Sequence, residues 1–92
     1  MTKEQIRTKF DRWAERVGHT SLENDLDNAT LLLSYDDKQT STTLSTVAVY
    51  AVAVHTDHVH VFLFSVRTAW QLDERGNTDE VLDERYRVIV AF

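Results

Sequence analysis

Three histidines close together near the middle of the sequence are the first candidates for chemistry. They are His55, His58 and His60. Imidazole is a common ligand of zinc and nickel, and three imidazoles around one point form a usual donor set. A hairpin that pairs His55 with His58 brings their Cβ atoms to about 5 Å. The alternative, favoured by the polar Thr56-Asp57 between them, is a solvated hairpin tip that binds no metal.

A carboxylate among aromatic residues is the second candidate, because burial raises the pKa of a carboxyl group toward the range of a general acid or base. Strand alternation points Glu84 to the same side as Trp70 and Tyr86. These three residues are the candidate ligand pocket. The neighbouring Asp83 and Arg85 favour instead a solvated hairpin end.

Other catalytic residue types are missing or badly spaced. Cysteine is absent, which excludes disulfides, thiolate nucleophiles and cysteine-ligated zinc. The hydroxyl-rich segment 40–46 has no His and Asp at a recognisable spacing, and no glycine-rich loop is present to hold phosphate. Catalysis is left without support, and we expect no cofactor.

Length and composition indicate one folded domain, 1–92. The chain is 42% hydrophobic and 27% charged, which is ordinary for a globular protein. No stretch is long and apolar enough to span a membrane, and the sequence opens without an apolar leader. We therefore expect a cytoplasmic protein that does not bind membranes.

The net charge is −5, and the acidic residues collect in connecting segments, chiefly 21–38 and 73–85. No basic stripe is present to follow a phosphate backbone, so direct nucleic-acid binding is disfavoured. An acidic surface commonly serves solubility. The alternative is a surface that imitates a nucleic acid.

The first segment has the signals of an amphipathic helix. Thr2 and Gln5 fit a capping box, and Gly18 is a typical stop. Between them, a single apolar stripe at helical spacing consists of Ile6, Phe10, Trp13 and Val17. The pattern predicts a helix over about 3–17, followed by a weaker turn over 21–28.

From Ala29 the apolar period changes to two, which is typical of strands. Four strands are predicted, with short connections, over 29–37, 40–54, 58–72 and 81–92. The sequence thus predicts an α+β domain in which the N-terminal helix packs on a curved four-stranded antiparallel β-meander.

Strand register decides which side chains the helix covers. A tight connection at Thr56-Asp57 pairs His55 with His58, and an odd-numbered loop about Gly76 or Asn77 fixes the last hairpin. The face predicted under the helix carries Phe62, Phe64, Val66, Trp70, Tyr86, Val88, Val90 and Phe92.

The opposite face is predicted to bind a partner, because one helix cannot cover both sides of the sheet. In the predicted register it carries Leu44, Ala48, Tyr50, Val52, Val54, Val59, Val61, Leu63 and Ile89. Exposed apolar patches of several hundred Å² usually mark interfaces. A second copy of the chain is the simplest partner, and a different protein is the alternative. The candidate interface residues are Tyr50, Val52, Val54, Val59, Val61 and Leu63.

Three segments resemble the NTF2-like (SnoaL-like) superfamily. Residues 4–15 resemble its first helix, and 66–73 with 84–92 resemble its long late strands. The resemblance implies a cone of curved antiparallel sheet wrapped on helices, often dimeric through the sheet, and in many members a small hydrophobic ligand. Some members are isomerases, cyclases or dehydratases. The family's further helices are absent from the predicted elements, as in a reduced or engineered version or a small viral protein of similar shape.

Three functions of different classes follow. The first is a non-catalytic binding or assembly protein that acts through the apolar face of its sheet and self-associates. The second is an NTF2-like protein with a pocket for a small hydrophobic ligand, or an isomerase or cyclase. The third is an acidic viral anti-defence inhibitor that occupies a nucleic-acid site on its target.

Overall fold

The computed structural model describes residues 1–19 and 25–91. One helix precedes a four-stranded antiparallel sheet of order β1-β2-β3-β4, open at both edges, so the predicted α+β meander is confirmed. The predicted turn over 21–28 begins outside the described residues. Phe92, predicted on the face under the helix, also lies outside them. The elements are α1 (Lys3–Arg16), β1 (Thr30–Gln39), β2 (Thr43–His55), β3 (Val59–Leu72) and β4 (Thr78–Ala91).

Both ends of α1 are closed as the sequence predicts. The Thr2 hydroxyl accepts from the Gln5 amide at 3.2 Å, and the Gln5 side chain accepts from the Thr2 amide at 2.8 Å. At the other end Gly18 has φ +82°, and the His19 amide donates to the Ala14 carbonyl at 2.9 Å. This is the Schellman arrangement, which satisfies carbonyls that the helix leaves free.

The core lies between α1 and one side of the sheet, which we call the helix-side face. Phe10, Trp13 and Phe62 form an aromatic cluster with ring centroids 5.3 to 5.7 Å apart. Together with its aliphatic neighbours this cluster excludes water from the helix–sheet junction. The buried residues of this core are Ile6, Phe10, Trp13, Ala14, Leu26, Val52, Val54, Phe62 and Phe64.

The register between β2 and β3 differs from the prediction by one residue. His55 pairs with Val59, because a three-residue connection, in which the Thr56 amide donates to the His58 carbonyl at 3.1 Å, replaces the predicted two-residue one. One residue of slip moves every side chain of a strand to the other face. All of β2 is therefore inverted relative to the prediction.

The last hairpin matches the predicted odd-numbered loop over its central part. Val66 pairs with Tyr86 and Phe64 with Val88, which places these side chains on the helix-side face. Beyond them an irregularity shifts the register, so that Leu63 pairs with Val90. Val90 therefore lies on the opposite face, and its predicted position under the helix is wrong.

The helix covers only one half of the sheet. Its start is attached to β4 at Tyr86, whose amide donates to the Met1 carbonyl at 2.7 Å and whose carbonyl accepts from the Met1 amino group at 2.8 Å. From there α1 extends to the level of Phe62 and Ala91. The other half of the sheet has no helix among the described residues, and the molecule extends to 52 × 21 × 17 Å.

Candidate functional site

The side of the sheet away from α1, which we call the open face, is the first candidate surface. Its middle strands present short aliphatic side chains at every second position, from the centre of the sheet to the tip of the β2–β3 hairpin. Paired residues in an antiparallel sheet share a face, so the register assigns its members. They are Val47, Val49, Ala51, Ala53, Val59, Val61, Leu63 and Val90.

These side chains remain accessible to solvent to different degrees. Val59 is 59% exposed, Val61 and Leu63 are half-buried, and Leu33, which pairs with Val49 from β1, is 50% exposed. Val47 is buried, because it lies between Tyr35 and Arg67 in the register. No helix of residues 1–19 and 25–91 covers this surface, so only cross-strand neighbours shield it.

The predicted interface set is divided by the corrected register. Val59, Val61 and Leu63 lie on the open face, whereas Tyr50, Val52 and Val54 lie on the helix-side face. The prediction that all six share one uncovered face is wrong.

Leu44 and Ala48, also predicted on the uncovered face, pair with Trp70 and Val66 and belong to the helix side. In their place the structure brings Val49, Ala51 and Ala53 to the open face. No alternation in the continuously apolar run 47–54 distinguished the two sides.

The apolar part of the open face ends at a line of arginines, and one further arginine, Arg87 on β4, lies one pair nearer the β2–β3 hairpin on the same face. Arg67 and Arg85 pair across β3 and β4. The Arg67 guanidinium donates to the Asp37 carboxylate, and this hydrogen bond raises the pKa of the guanidinium above its ordinary value. The Arg85 Nε atom donates to Asp83 at 2.9 Å. The open face is thus apolar toward the helix-covered end and ion-paired toward the other.

That other end, which we call the acid end, combines acidic segments that are distant in sequence. The last residues of β1 pair with the first residues of β2, and these pair with the last residues of β3. The end of β1 therefore lies in the same part of the sheet as the β3–β4 hairpin. Acidic side chains there outnumber the basic ones, which are Lys38, Arg67, Arg75 and Arg85. The acidic residues are Asp36, Asp37, Asp73, Glu74, Asp79, Glu80, Asp83 and Glu84.

A second candidate site is a groove of about 280 Å³ where the start of α1 meets the sheet. The stacked rings of Tyr50 and Phe64, with centroids 5.4 Å apart and planes at 17°, form its floor. On its rim the Lys3 Nζ and Asp27 Oδ1 atoms are 3.6 Å apart. An aromatic floor under a polar rim suits a flat ligand with few polar groups.

Two of the three predicted pocket residues meet in this groove. The Tyr86 hydroxyl donates to the Glu84 carboxylate, and burial, followed by this hydrogen bond, raises the pKa of the Tyr86 phenol. Trp70 lies outside the groove, where its Nε1 atom donates to Thr46 Oγ1 at 3.1 Å beside Leu44. Tyr50 also belongs to the aromatic residues that the sequence offers for a pocket, but the predicted register placed it on the other face, away from Tyr86.

The three histidines do not converge. His60 pairs with Val54 and His55 with Val59, so His55 and His60 lie on opposite faces, and His58 is in the turn. The rings of His58 and His60 are 6.5 Å apart between centroids. Within the described part of the chain no three His, Asp or Glu residues are grouped to hold a metal ion. The register that would have brought the histidines together is wrong.

Comparisons with known proteins do not assign a family. No family model matches the chain, and neither a curated protein nor a solved structure matches it. The resemblance to NTF2-like proteins stays a prediction. Separately, the helical segment within the described residues lacks the length and hydrophobicity that crossing a bilayer requires.

Proposed function

We propose that this protein is a non-catalytic binding and assembly module that self-associates through the open face. The observation that carries the proposal is a sheet that the helix among residues 1–19 and 25–91 covers on one side and leaves uncovered on the other. The uncovered side presents valine, leucine and alanine on neighbouring strands, with Val61 and Leu63 near its centre. A contiguous apolar surface of this kind is characteristic of an interface.

The accessible area supports this proposal. A compact monomer of this length exposes about 5,500 Å² and has a radius of gyration of about 12 Å. The chain exposes 6473 Å² and has a radius of gyration of 15.3 Å. The excess of roughly 1,000 Å² is comparable to the ~800 Å² that each partner buries in a standard interface.

The energy of such an interface is sufficient for association. Burying roughly 400 Å² of apolar area on each chain contributes about 10 kcal/mol per chain before opposing terms. Lost translational freedom and side-chain ordering offset most of this, which leaves an affinity of about micromolar or better.

The edges of the sheet are less suited to association than its face. Irregularities in β1 between Leu31 and Leu33 and between Asp36 and Lys38 interrupt its pairing pattern. Bulges and charged residues of this kind discourage the addition of another strand. The β4 edge is occupied at Tyr86 by Met1.

Sedimentation of a Val61→Lys variant tests the proposal. A lysine at the centre of the open face would be desolvated without a partner in the assembly, so the assembly should dissociate. The helix core contains no contact from Val61, and the monomer should remain folded. We expect a dimer for the wild type at tens of micromolar and a folded monomer for the variant.

Val81→Lys is the matched control. Val81 is 45% exposed and pairs with Trp70, so the same exchange places a lysine on the other side of the sheet. This variant should sediment as the wild type does. A wild type that is monomeric at tens of micromolar contradicts self-association through the open face.

The groove favours a second candidate function, the binding of a small hydrophobic ligand. The stacked floor of Tyr50 and Phe64, next to the hydrogen-bonded Glu84 and Tyr86, supports it. The probe is 1-naphthol, whose flat ring fits the floor and whose single hydroxyl can reach the rim. The third possibility, an acidic inhibitor, stays a prediction.

Calorimetric titration with 1-naphthol tests this candidate. Val66→Trp fills the groove, because Val66 lines it, and should abolish binding while Val61→Lys retains it. Equal binding to the wild type and Val66→Trp, or no binding to the wild type, contradicts a ligand site in the groove.

A further inference from the structure

We infer that two copies of this chain pack open face to open face with their strands running in opposite directions, so that the two acid ends lie at opposite poles of the dimer. The inference rests on the proposed function, since it takes the open face as the interface. It adds the direction in which the partner's strands run and the position of the symmetry axis.

Symmetry allows two simple arrangements. A twofold axis between two stacked sheets lies in the plane midway between them. We call a row of residues paired across the strands a level of the sheet. If the axis runs along the strands, corresponding strands of the two copies run in the same direction, and each level of one sheet faces the same level of the other. If the axis runs across the strands, the copies point in opposite directions, and only the level on the axis faces itself.

The charge distribution favours the second arrangement. In the first arrangement the Arg67–Arg85 line of one copy faces the same line of its partner. The acid ends, with their excess of carboxylates, also come side by side. Like charges placed together across an interface are unfavourable and exclude one way of docking while leaving the other. In the second arrangement the acid ends are separated by most of the length of the dimer.

The apolar side chains locate the axis along the strands. They extend from Val47 on one side to Val59 on the other, and the middle of this range is the level of Ala51 and Leu63. An axis across the strands at this level overlays the apolar part of one copy on that of the other. The acid end of each copy then extends past the hairpin tip of its partner.

Two alanines on the open face report the arrangement, and the absence of native cysteine allows single-cysteine variants of each. Ala51 lies on the proposed axis, so its Cβ atom faces that of its own symmetry mate across sheets about 10 Å apart. Ala69 pairs with Ser45 and Asp83, six residues along β3 from Leu63. It lies about 20 Å from the axis, which places it about 40 Å from its mate.

The experiment treats purified Ala51→Cys and Ala69→Cys with a short bismaleimide that joins thiols across stacked sheets but cannot span the larger distance. Both exchanges are small, and both positions are half-buried, so the two variants should fold equally well, which circular dichroism verifies. We expect covalent dimer from Ala51→Cys at least tenfold above that from Ala69→Cys.

Each of the other results overturns the inference. Cross-linking of both variants shows strands running in the same direction, which overturns this inference and leaves self-association through the open face intact. Cross-linking of Ala69→Cys alone places the interface at the acid end of the open face, which overturns this inference and contradicts association through the apolar part of that face. No cross-linking of either variant, with a dimer present in sedimentation, overturns the open face as the interface.

Discussion

The two faces of the sheet differ more in what lies against them than in their composition. Phe62 and Leu63 are neighbours in β3 and both are large and apolar. Phe62 is 1% exposed and packs against Phe10 and Trp13 of α1, whereas Leu63 faces away from the helix and is half-buried. Residues such as Phe62 hold the monomer together, whereas residues such as Leu63 remain available to a partner.

The largest expected effect is the loss of monomer stability when the helix-side face is disrupted. Phe62→Ala removes the ring that contacts both aromatic residues of α1, and should lower the free energy of unfolding by about 3–5 kcal/mol. Leu63→Ala is the matched change on the open face. It should cost about 1 kcal/mol in the monomer, because Leu63 is only half-buried, and should weaken association instead.

Urea unfolding at submicromolar protein measures the monomer contribution, and sedimentation at higher concentration measures association. Equal losses of monomer stability in Phe62→Ala and Leu63→Ala would show that the two faces are not distinct in this way.

A smaller effect tests how the helix layer is held on its face. Gly18 ends α1 with φ +82°, and an added Cβ would meet no atom within 4 Å. Gly18→Ala should therefore cost about 1 kcal/mol, from the backbone conformation alone. Gly18→Asn should cost less, since asparagine tolerates positive φ. Thermal unfolding of both variants measures the difference. Identical melting temperatures for Gly18→Ala and the wild type would contradict it.

The smallest effect concerns Tyr86, at the boundary between the covered and bare halves. Burial and the Glu84 carboxylate raise its pKa above the ordinary 10.0. Above about pH 10 the unfolded chain releases the phenol proton while the folded chain retains it, so this contribution to stability is present below pH 10 and is lost as the pH rises. Tyr86→Phe removes this dependence.

Urea unfolding at about pH 8 and about pH 10.5 detects the change. The wild type should lose more stability between these values than Tyr86→Phe does. Parallel losses would show that the phenol is not protected in the folded state.

The sequence predicted the face of a side chain correctly where polar residues alternate with apolar ones along the strand. In β4, Asp83, Arg85 and Arg87 alternate with Tyr86 and Val88, so burying the wrong set would place charges in the core. This contrast gave the correct face for Tyr86 and Val88. The capping signals of α1 were equally informative, because each cap uses specific hydrogen-bonding groups.

The open face was harder to predict because β2, which forms part of it, lacks this alternation of polar and apolar residues. Every residue of 47–54 is apolar or aromatic, so either face of β2 is energetically acceptable. The register then depends on the connection at Thr56–His58, which contains no glycine or asparagine to specify a turn type. One extra residue in that turn exchanged Tyr50 and Val52 for Val49 and Ala51 on the open face. The sequence contains no signal for the irregularity that places Val90 on the open face.

The order of elements in the meander has a consequence for synthesis. Each strand can pair with its predecessor as soon as it leaves the ribosome, because only sequence neighbours are adjacent. Helix α1 is made before the sheet, and the core that contains Trp13 extends to Phe62 and beyond it to Val88. At about 5–20 residues per second, the roughly 75 residues between Trp13 and Val88 take about 4–15 s. For that time the apolar stripe of α1 is without its complete sheet, and a chaperone that recognises amphipathic helices can bind it before the protein's own core is complete.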